Sequence, residues 1–288
     1  MFCAKAGAKQ VIAVDKSDII AKAVENVFNN NLSSTITCLK GAMEEVILPV
    51  DKVDIIVSEW MGYCLLYEAM LPSVLYARDK YLKPDGILAP SSATIWIAPV
   101  ADPEYVTDHI SYWRDVYGFD MKAMQAGIYD DARIQTMPQS CLCGDPYPFK
   151  VLDLHTVKVS ELQFTANWES QITREIDELD GFLLWFDNFF ATSRGQATPE
   201  PECTPEVWIK RQQGNVAFTT GPQALETHWR QGLLLAPPPE DSSKVAPSTK
   251  ISGDIRFSAA DDNVRALHLD VNWTLGDRKK TTRSWKLK

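Results

Sequence analysis

Three short runs in the first sixty residues, QVIAV (10–14), TITCL (35–39) and VDIIVS (53–58), are apolar almost throughout rather than at every second position. A half-buried antiparallel strand alternates, whereas a strand covered on both faces reads as a continuous apolar run. Covered parallel strands need a crossover between them, usually a helix. SDIIAKAVENVFNN supplies one, with Ile19, Ile20, Ala23, Val24, Val27 and Phe28 at helical spacing behind a Ser17/Asp18 start. LPSVLYARDKYL (71–82) predicts a second, with Pro72 in its first turn, and KPDG (83–86) reads as a turn. Strand, helix, strand, strand, helix in this style predicts a parallel α/β domain over residues 1–90.

After Pro90 the pattern changes. TIWIAPV, HTVKVSELQFTANW, FLLWFDNFFAT, NVAFTT, KISGDIRFS and RALHLDVNWTL read as alternating, aromatic and β-branched strands separated by turns. They predict an antiparallel barrel or sandwich over residues 91–288. DHISYWRDVYGFDMKAMQAG (108–127) reads as a helical interruption, and APPPEDSSKVAPSTK (236–250) as a mobile Pro/Ser-rich loop joining two strands. CLCGDPYPF (141–149) carries no functional signal.

Composition narrows the function. No apolar run approaches the roughly 20 residues of a membrane span, and MFCAKAGAKQ is too polar for a signal peptide. The six cysteines show neither a CxxC pair nor a histidine at zinc spacing, which predicts reduced thiols in a cytosolic or nuclear protein. Acids outnumber bases 38 to 29 and no basic run is present, which argues against nucleic acid. A net charge of −9 suits a cationic partner, and simple solubility equally well.

Ligands of an open parallel sheet bind beyond the carboxyl ends of its strands. Asp15 ends the first run, Glu44 follows the second in KGAMEEV, and Glu59 follows the third. An acid at the position of Asp15 either accepts from the ribose hydroxyls of a nucleoside cofactor or caps the next helix. SEWMGYCLLYEAML (58–71) holds two glutamates, Glu59 and Glu68, in otherwise apolar surroundings. Unpaired carboxylates there are costly and repel each other unless a cation lies between them. A divalent metal would want a third ligand, which the segment lacks, and a glycosidase pair does not go with a nucleoside rim. A guanidinium fits best, since its planar fork of donors can be gripped from two sides.

At these residues the chain resembles a known family. SEWMGYCLLYEAMLPSVLYARDKYLKPDG is similar to the double-E loop of the type I protein arginine N-methyltransferases, and ETHWRQ (226–231) to their THW loop. The order VIAVD, KGAMEEV, double-E loop, β region with a helical insert, THW loop extends the resemblance over essentially the whole chain. AKAGAKQVIAVDKSDII, with Asp at the ribose position, resembles one branch of that family.

The resemblance implies a partial Rossmann-like S-adenosylmethionine-dependent methyltransferase domain followed by an antiparallel β-barrel domain with an inserted dimerisation arm, about residues 103–137. It implies S-adenosyl-L-methionine as cofactor, S-adenosyl-L-homocysteine as product, and no metal. Asp15 would hold the ribose, Met43 and Glu44 the adenine, and Met70 the pocket wall near the methyl group. Glu59 and Glu68 would clamp the substrate guanidinium, Tyr63 and Trp229 would line its pocket, and His228 would close it. The proton that leaves would go to Glu68 or to His228, which otherwise bridges the two parts. Tyr112, Trp113, Tyr117 and Phe119 would be apolar contacts of a homodimer, or else local core. The expected products are mono- and asymmetric dimethylarginine in Arg/Gly-rich proteins. The resemblance also places a strand and a glycine-rich loop ahead of Met1. That raises the expectation of a truncated chain with weak cofactor binding, and the alternative of a non-catalytic, dimerising regulatory partner.

Overall fold

A computed structural model describes residues 1–196, 198–239, 243–261 and 263–288. After a single helical turn, α1 (Phe2–Lys5), strands β1 (Val11–Asp15) and β2 (Ile36–Lys40) pair in parallel from Val11↔Ile36 to Asp15↔Lys40. Helix α2 (Ile19–Asn29) crosses between them, burying Ile20 and Val27 while Ile19, Val24 and Phe28 stay exposed. Asp18 starts this helix but makes no capping bond; its carboxylate meets Lys40 instead. A second parallel pair, β3 (Val53–Val57) and β4 (Leu82–Ala89), is joined through α3 (Leu71–Tyr81), which buries Leu71, Val74 and Leu75.

Two expectations change here. Among the described residues, the two parallel pairs share no ladder, so the region is two two-stranded sheets rather than one. KPDG does turn, but inside β4. The ladder steps from Val53↔Leu82 to Ile55↔Ile87, so Lys83–Gly86 bulge out opposite Asp54. The bulge is held by Lys83 against the Asp54 carboxylate and needs a glycine at 86, where a Cβ would lie 2.9 Å from the Asp54 carbonyl oxygen.

The remaining strands form two antiparallel sheets. The first comprises β5 (Ser92–Val100), β6 (Arg133–Gln135), β7 (Tyr147–Asp153), β9 (Gly181–Phe190), β10 (Val216–Thr219) and β11 (Gln231–Leu235), in the order β6-β11-β9-β5-β7 with β10 also on β9. The second runs β14-β13-β12-β8, from β8 (Phe164–Gln171), β12 (Lys250–Ala259), β13 (Leu267–Leu275) and β14 (Thr281–Leu287). Between them lies the main core, where Ile95, Phe182 and Phe186 belong to one cluster with Ile255, Phe257 and Trp285. The expected barrel is therefore built as two facing sheets, joined at their seams only by single bridges such as Asp131↔Lys286 and Gly144↔Ile172 among the described residues.

A second layer covers the outer face of the first sheet. Trp96, Val100, Leu183 and Trp185 pack with Tyr105 and Ile110 from the insert. Consequently β5 and β9 are buried on both faces, whereas β13 alternates buried and half-buried positions along its length. The insert itself is not one helix. Helix α4 (Pro103–His109), capped by the Asp102 carboxylate on the Tyr105 N–H, stops at His109. Two 3-10 turns, Ser111–Arg114 and Lys122–Gln125, follow around a reversal at Tyr117 and Gly118, where both residues have positive φ. Likewise, only the Phe164–Gln171 end of HTVKVSELQFTANW is strand; Val159–Glu161 forms a 3-10 turn closed by Glu161 on the Lys158 N–H. Residues 240–242 of the Pro/Ser-rich loop lie outside the described residues.

Polar contacts fasten the α/β part to the β part. Arg78 donates to the carbonyl oxygens of Leu154 (2.8 Å) and Val157 (2.7 Å), and the Leu88 N–H donates to His155 Nε2 (3.2 Å).

Candidate active site

The double-E segment is a tightly folded loop. It leaves β3 with one more rung, Ser58 N–H to the Ala89 oxygen, and folds on itself where Gly62 and Leu65 exchange both backbone hydrogen bonds. A Cβ at Gly62 would stand 1.8 Å from the Tyr67 carbonyl oxygen, so no other residue permits this approach. Cys64, Leu65, Glu68 and Ala69 all have positive φ. Such backbone costs on the order of 1–2 kcal/mol per residue and persists only where surrounding contacts enforce it. Here burial enforces it, with Leu65 and Cys64 in the core and Cys64 packed into the space left by the missing side chain of Gly232 on β11. The same burial pushes the Cys64 thiol up to about 12.

Glu59 and Glu68 stand three residues outside the Gly62–Leu65 bridge (62 − 59 and 68 − 65), one on each arm, and both are exposed. Glu68 is held by a residue that sequence reasoning missed. Its N–H donates to the Arg265 carbonyl oxygen (2.8 Å), and its carboxylate lies 3.5 Å from the Arg265 guanidinium. Met70, half exposed, precedes α3, and Tyr63 stacks on Tyr67 at 5.8 Å.

The loop after β10 reaches the same place. Trp229 donates its indole N–H to the Met61 carbonyl oxygen, packs face to face on Phe218 and edge-on to Phe186. His228 is exposed and leans on Trp229, its ring centre 3.9 Å away. The Thr227 hydroxyl is buried there without a partner among the described residues. Trp229 is thus a brace under the double-E loop, with His228 carried on it.

On the other parallel pair, Asp15 ends β1 on the exposed rim. Its Oδ1 accepts both the N–H and the hydroxyl of Ser17, which hold the carboxyl below the usual range. The turn after β2 bends back at Gly41, whose N–H donates to the Asp15 carbonyl oxygen. It carries Met43, half-buried, and Glu44, exposed. Helix α3 ties this turn to the double-E loop, because the hydroxyls of Tyr76 and Tyr81 donate to the carbonyl oxygens of Glu44 and Val46. The acids expected on one rim therefore sit on two sheets joined by α3. Among the described residues no three His, Cys, Asp or Glu side chains gather closely enough to hold a metal ion.

Residues 91–278 match the family described as the arginine methyltransferase oligomerization subdomain. The chain is 40% identical over 279 residues to protein arginine N-methyltransferase 1 of Schizosaccharomyces pombe, covering 97% of the chain and 75% of that relative. The chain belongs to the protein arginine N-methyltransferase family. With ribosomal protein arginine N-methyltransferase rmt3 of the same yeast it shares 42% over 278 residues, 96% of the chain but 49% of the relative, so it spans about half of that protein's length. This arginine methyltransferase chain also superposes on solved structures. It matches the Trypanosoma brucei PRMT1 enzyme-prozyme heterotetrameric complex with AdoHcy (TM-score 0.84, 28% identity, 100% of this chain and 84% of that one). Arabidopsis thaliana protein arginine methyltransferase 10 gives a TM-score of 0.79 at 26% identity, covering 99% and 84%.

Proposed function

We propose that this arginine methyltransferase chain transfers methyl groups from S-adenosyl-L-methionine to the guanidinium of protein-bound arginine, giving monomethyl and then asymmetric dimethylarginine. The observation that carries this reading is the pair of exposed glutamates on the two arms of a braced, positive-φ loop. A carboxylate accepts two hydrogen bonds from one edge of a guanidinium, and among side chains the guanidinium has donors to offer two carboxylates in this way.

The rim residues suit the cofactor. Both Ser17 donors go to Asp15 Oδ1, so Oδ2 takes neither and is available to vicinal hydroxyl donors. Met43 and Glu44 follow on the adjoining turn and would meet the adenine, and Met70, two residues after Glu68 at the start of α3, would border the methyl group. When bound, the cofactor supplies an electrophilic methyl group on a sulfonium. Glu59 and Glu68 fix the substrate and bias positive charge toward the gripped edge, leaving electron density on the nitrogen to be alkylated. Orientation of this kind is worth about 7–11 kcal/mol in favourable systems. Glu68 takes the departing proton. Tyr63 and Trp229 border the substrate, and His228 bridges from the β part.

Residues 1–90 hold the cofactor and 91–288, with their two facing sheets, present the substrate. The insert over 103–137 docks a second copy. In support, Tyr117 is 94% and Phe119 70% exposed on the chain by itself, Tyr112 is exposed, and Trp113 packs edge-on against Tyr112.

The test is incubation with radiolabelled S-adenosylmethionine and an arginine-glycine-rich peptide. Label should transfer, and Glu59→Gln or Glu68→Gln should abolish transfer without unfolding the chain. An unmutated chain that transfers nothing, yet alters the rate of an active family member, would replace this reading with that of a regulatory partner.

A further inference from the structure

Glu68 sits in backbone that it has no local reason to adopt. It and Ala69 have φ of 78° and 54°, neither is a glycine, and the loop contributes no hydrogen bond of its own to the Glu68 N–H. The partner comes from the other half of the molecule, in the loop between β12 and β13. Described residues of that loop bond to one another. The Ala260 N–H meets the Ala266 oxygen at 3.1 Å, the Ala266 N–H the Asn263 oxygen at 2.9 Å, and the Arg265 N–H the Asn263 side-chain oxygen at 3.0 Å. Its product is a carbonyl oxygen at Arg265 that accepts from Glu68 at 2.8 Å, and a guanidinium nitrogen 3.5 Å from Glu68 Oε2.

We infer that Arg265 is a positioning residue for Glu68, holding its backbone and its carboxylate from one turn so that the other carboxylate oxygen is presented to the substrate guanidinium. The inference rests on the proposed role of Glu68 as half of the clamp. Arg265 itself touches no substrate.

Charge supports the assignment. Two carboxylates around one substrate cation leave a surplus negative charge, and a second guanidinium, fixed behind Glu68, balances it. The pair is half-exposed, 63% for the arginine side chain and 47% for the glutamate, so its direct contribution to folding is at most about 1 kcal/mol. What it governs is where the carboxylate points.

The experiment compares Arg265→Ala, Arg265→Lys and Glu68→Gln in the complete chain. The carbonyl oxygen survives every substitution at 265, so these variants test the guanidinium alone. Arg265→Ala should raise KM for an arginine peptide roughly five- to tenfold and lower kcat, leaving KM for S-adenosylmethionine and the melting temperature unchanged. Arg265→Lys should recover most of the loss. Hydrogen exchange at the Glu68 amide, which needs no turnover, should quicken in Arg265→Ala. Parent KM and kcat in Arg265→Ala, beside an inactive Glu68→Gln, would overturn the inference while leaving the clamp intact. An active Glu68→Gln would remove the clamp and the inference together, whatever Arg265 does to exchange.

Discussion

The indole N–H of Trp229 meets the carbonyl oxygen of Met61 at 2.8 Å, joining residues 168 positions apart. Through it, the loop after β10 supports the glutamate loop from beneath. Trp229→Phe keeps the ring packing on Phe218 and Phe186 but deletes the donor. It should cost about 1 kcal/mol in urea denaturation and raise peptide KM. An unchanged KM would show that the brace is structural only.

Gly62→Ala should be far worse than its size suggests. The added methyl would meet the Tyr67 carbonyl oxygen, a backbone atom that can yield only if the bridge to Leu65 opens. A stability loss of about 1–3 kcal/mol and loss of methyl transfer are expected. Gly195→Ala, where nothing lies within 4 Å among the described residues, serves as the near-neutral control. Circular dichroism melts of both variants check this.

Stability should fall between mildly acidic and alkaline pH. Burial pushes the carboxyl of Asp187 up to about 7 and that of Asp180 up to about 6, from 3.8. A raised carboxyl favours the protonated, folded state. Its contribution is therefore complete below about pH 4 and is lost as pH rises through 6 to 7. Asp153 runs oppositely. The hydrogen bond from His155 draws it down to about 2, so its contribution is present above pH 4 and fades below. Asp187→Asn, which retains an acceptor for the Trp96 indole N–H, should raise the melting temperature at pH 8 and flatten its decline above pH 5. A melting temperature equally pH-dependent in the variant would contradict this.

Thiol chemistry should divide the six cysteines. Burial raises Cys64, Cys141 and Cys143 to about 12 and lifts Cys203 above its ordinary value, so these four should resist iodoacetamide at pH 8, whereas the half-buried Cys3 and Cys38 should label. Peptide mass mapping after brief exposure distinguishes the two groups.

Much of this was legible from the residues, for reasons that also explain the failures. Continuous apolar runs located β1, β2 and β3 but not their burial: β1 and β3 hold no buried residue, and Ile55 and Val57 are exposed on a face that no layer covers among the described residues. β5 and β9, expected to alternate, are instead buried along their length, because the insert covers their second face. KPDG announced a turn, and nothing local says that the ladder resumes after it. The helix-like stretch expected over 108–127 is α-helical only to His109 and continues as 3-10 turns around Tyr117–Gly118, where the chain reverses and the Asp115 carboxylate captures the Gly118 N–H. Glu59 and Glu68 were conspicuous because acids among aromatics demand a partner. Arg265 was not, since an arginine in a polar hairpin loop looks like any solvated charge until the fold sets it against Glu68. Tyr76 and Tyr81 were hidden likewise, as ordinary members of a helix.

The double burial of β9 has a consequence for how the molecule can respond to touch. Trp185 stacks on Trp96 beneath the insert, while Phe186, the next residue, meets the ring of Trp229 on the opposite face. A contact made on the insert is therefore separated from the underside of the glutamate loop by the thickness of one strand. The two lie back to back, with a single peptide unit between Trp185 and Phe186.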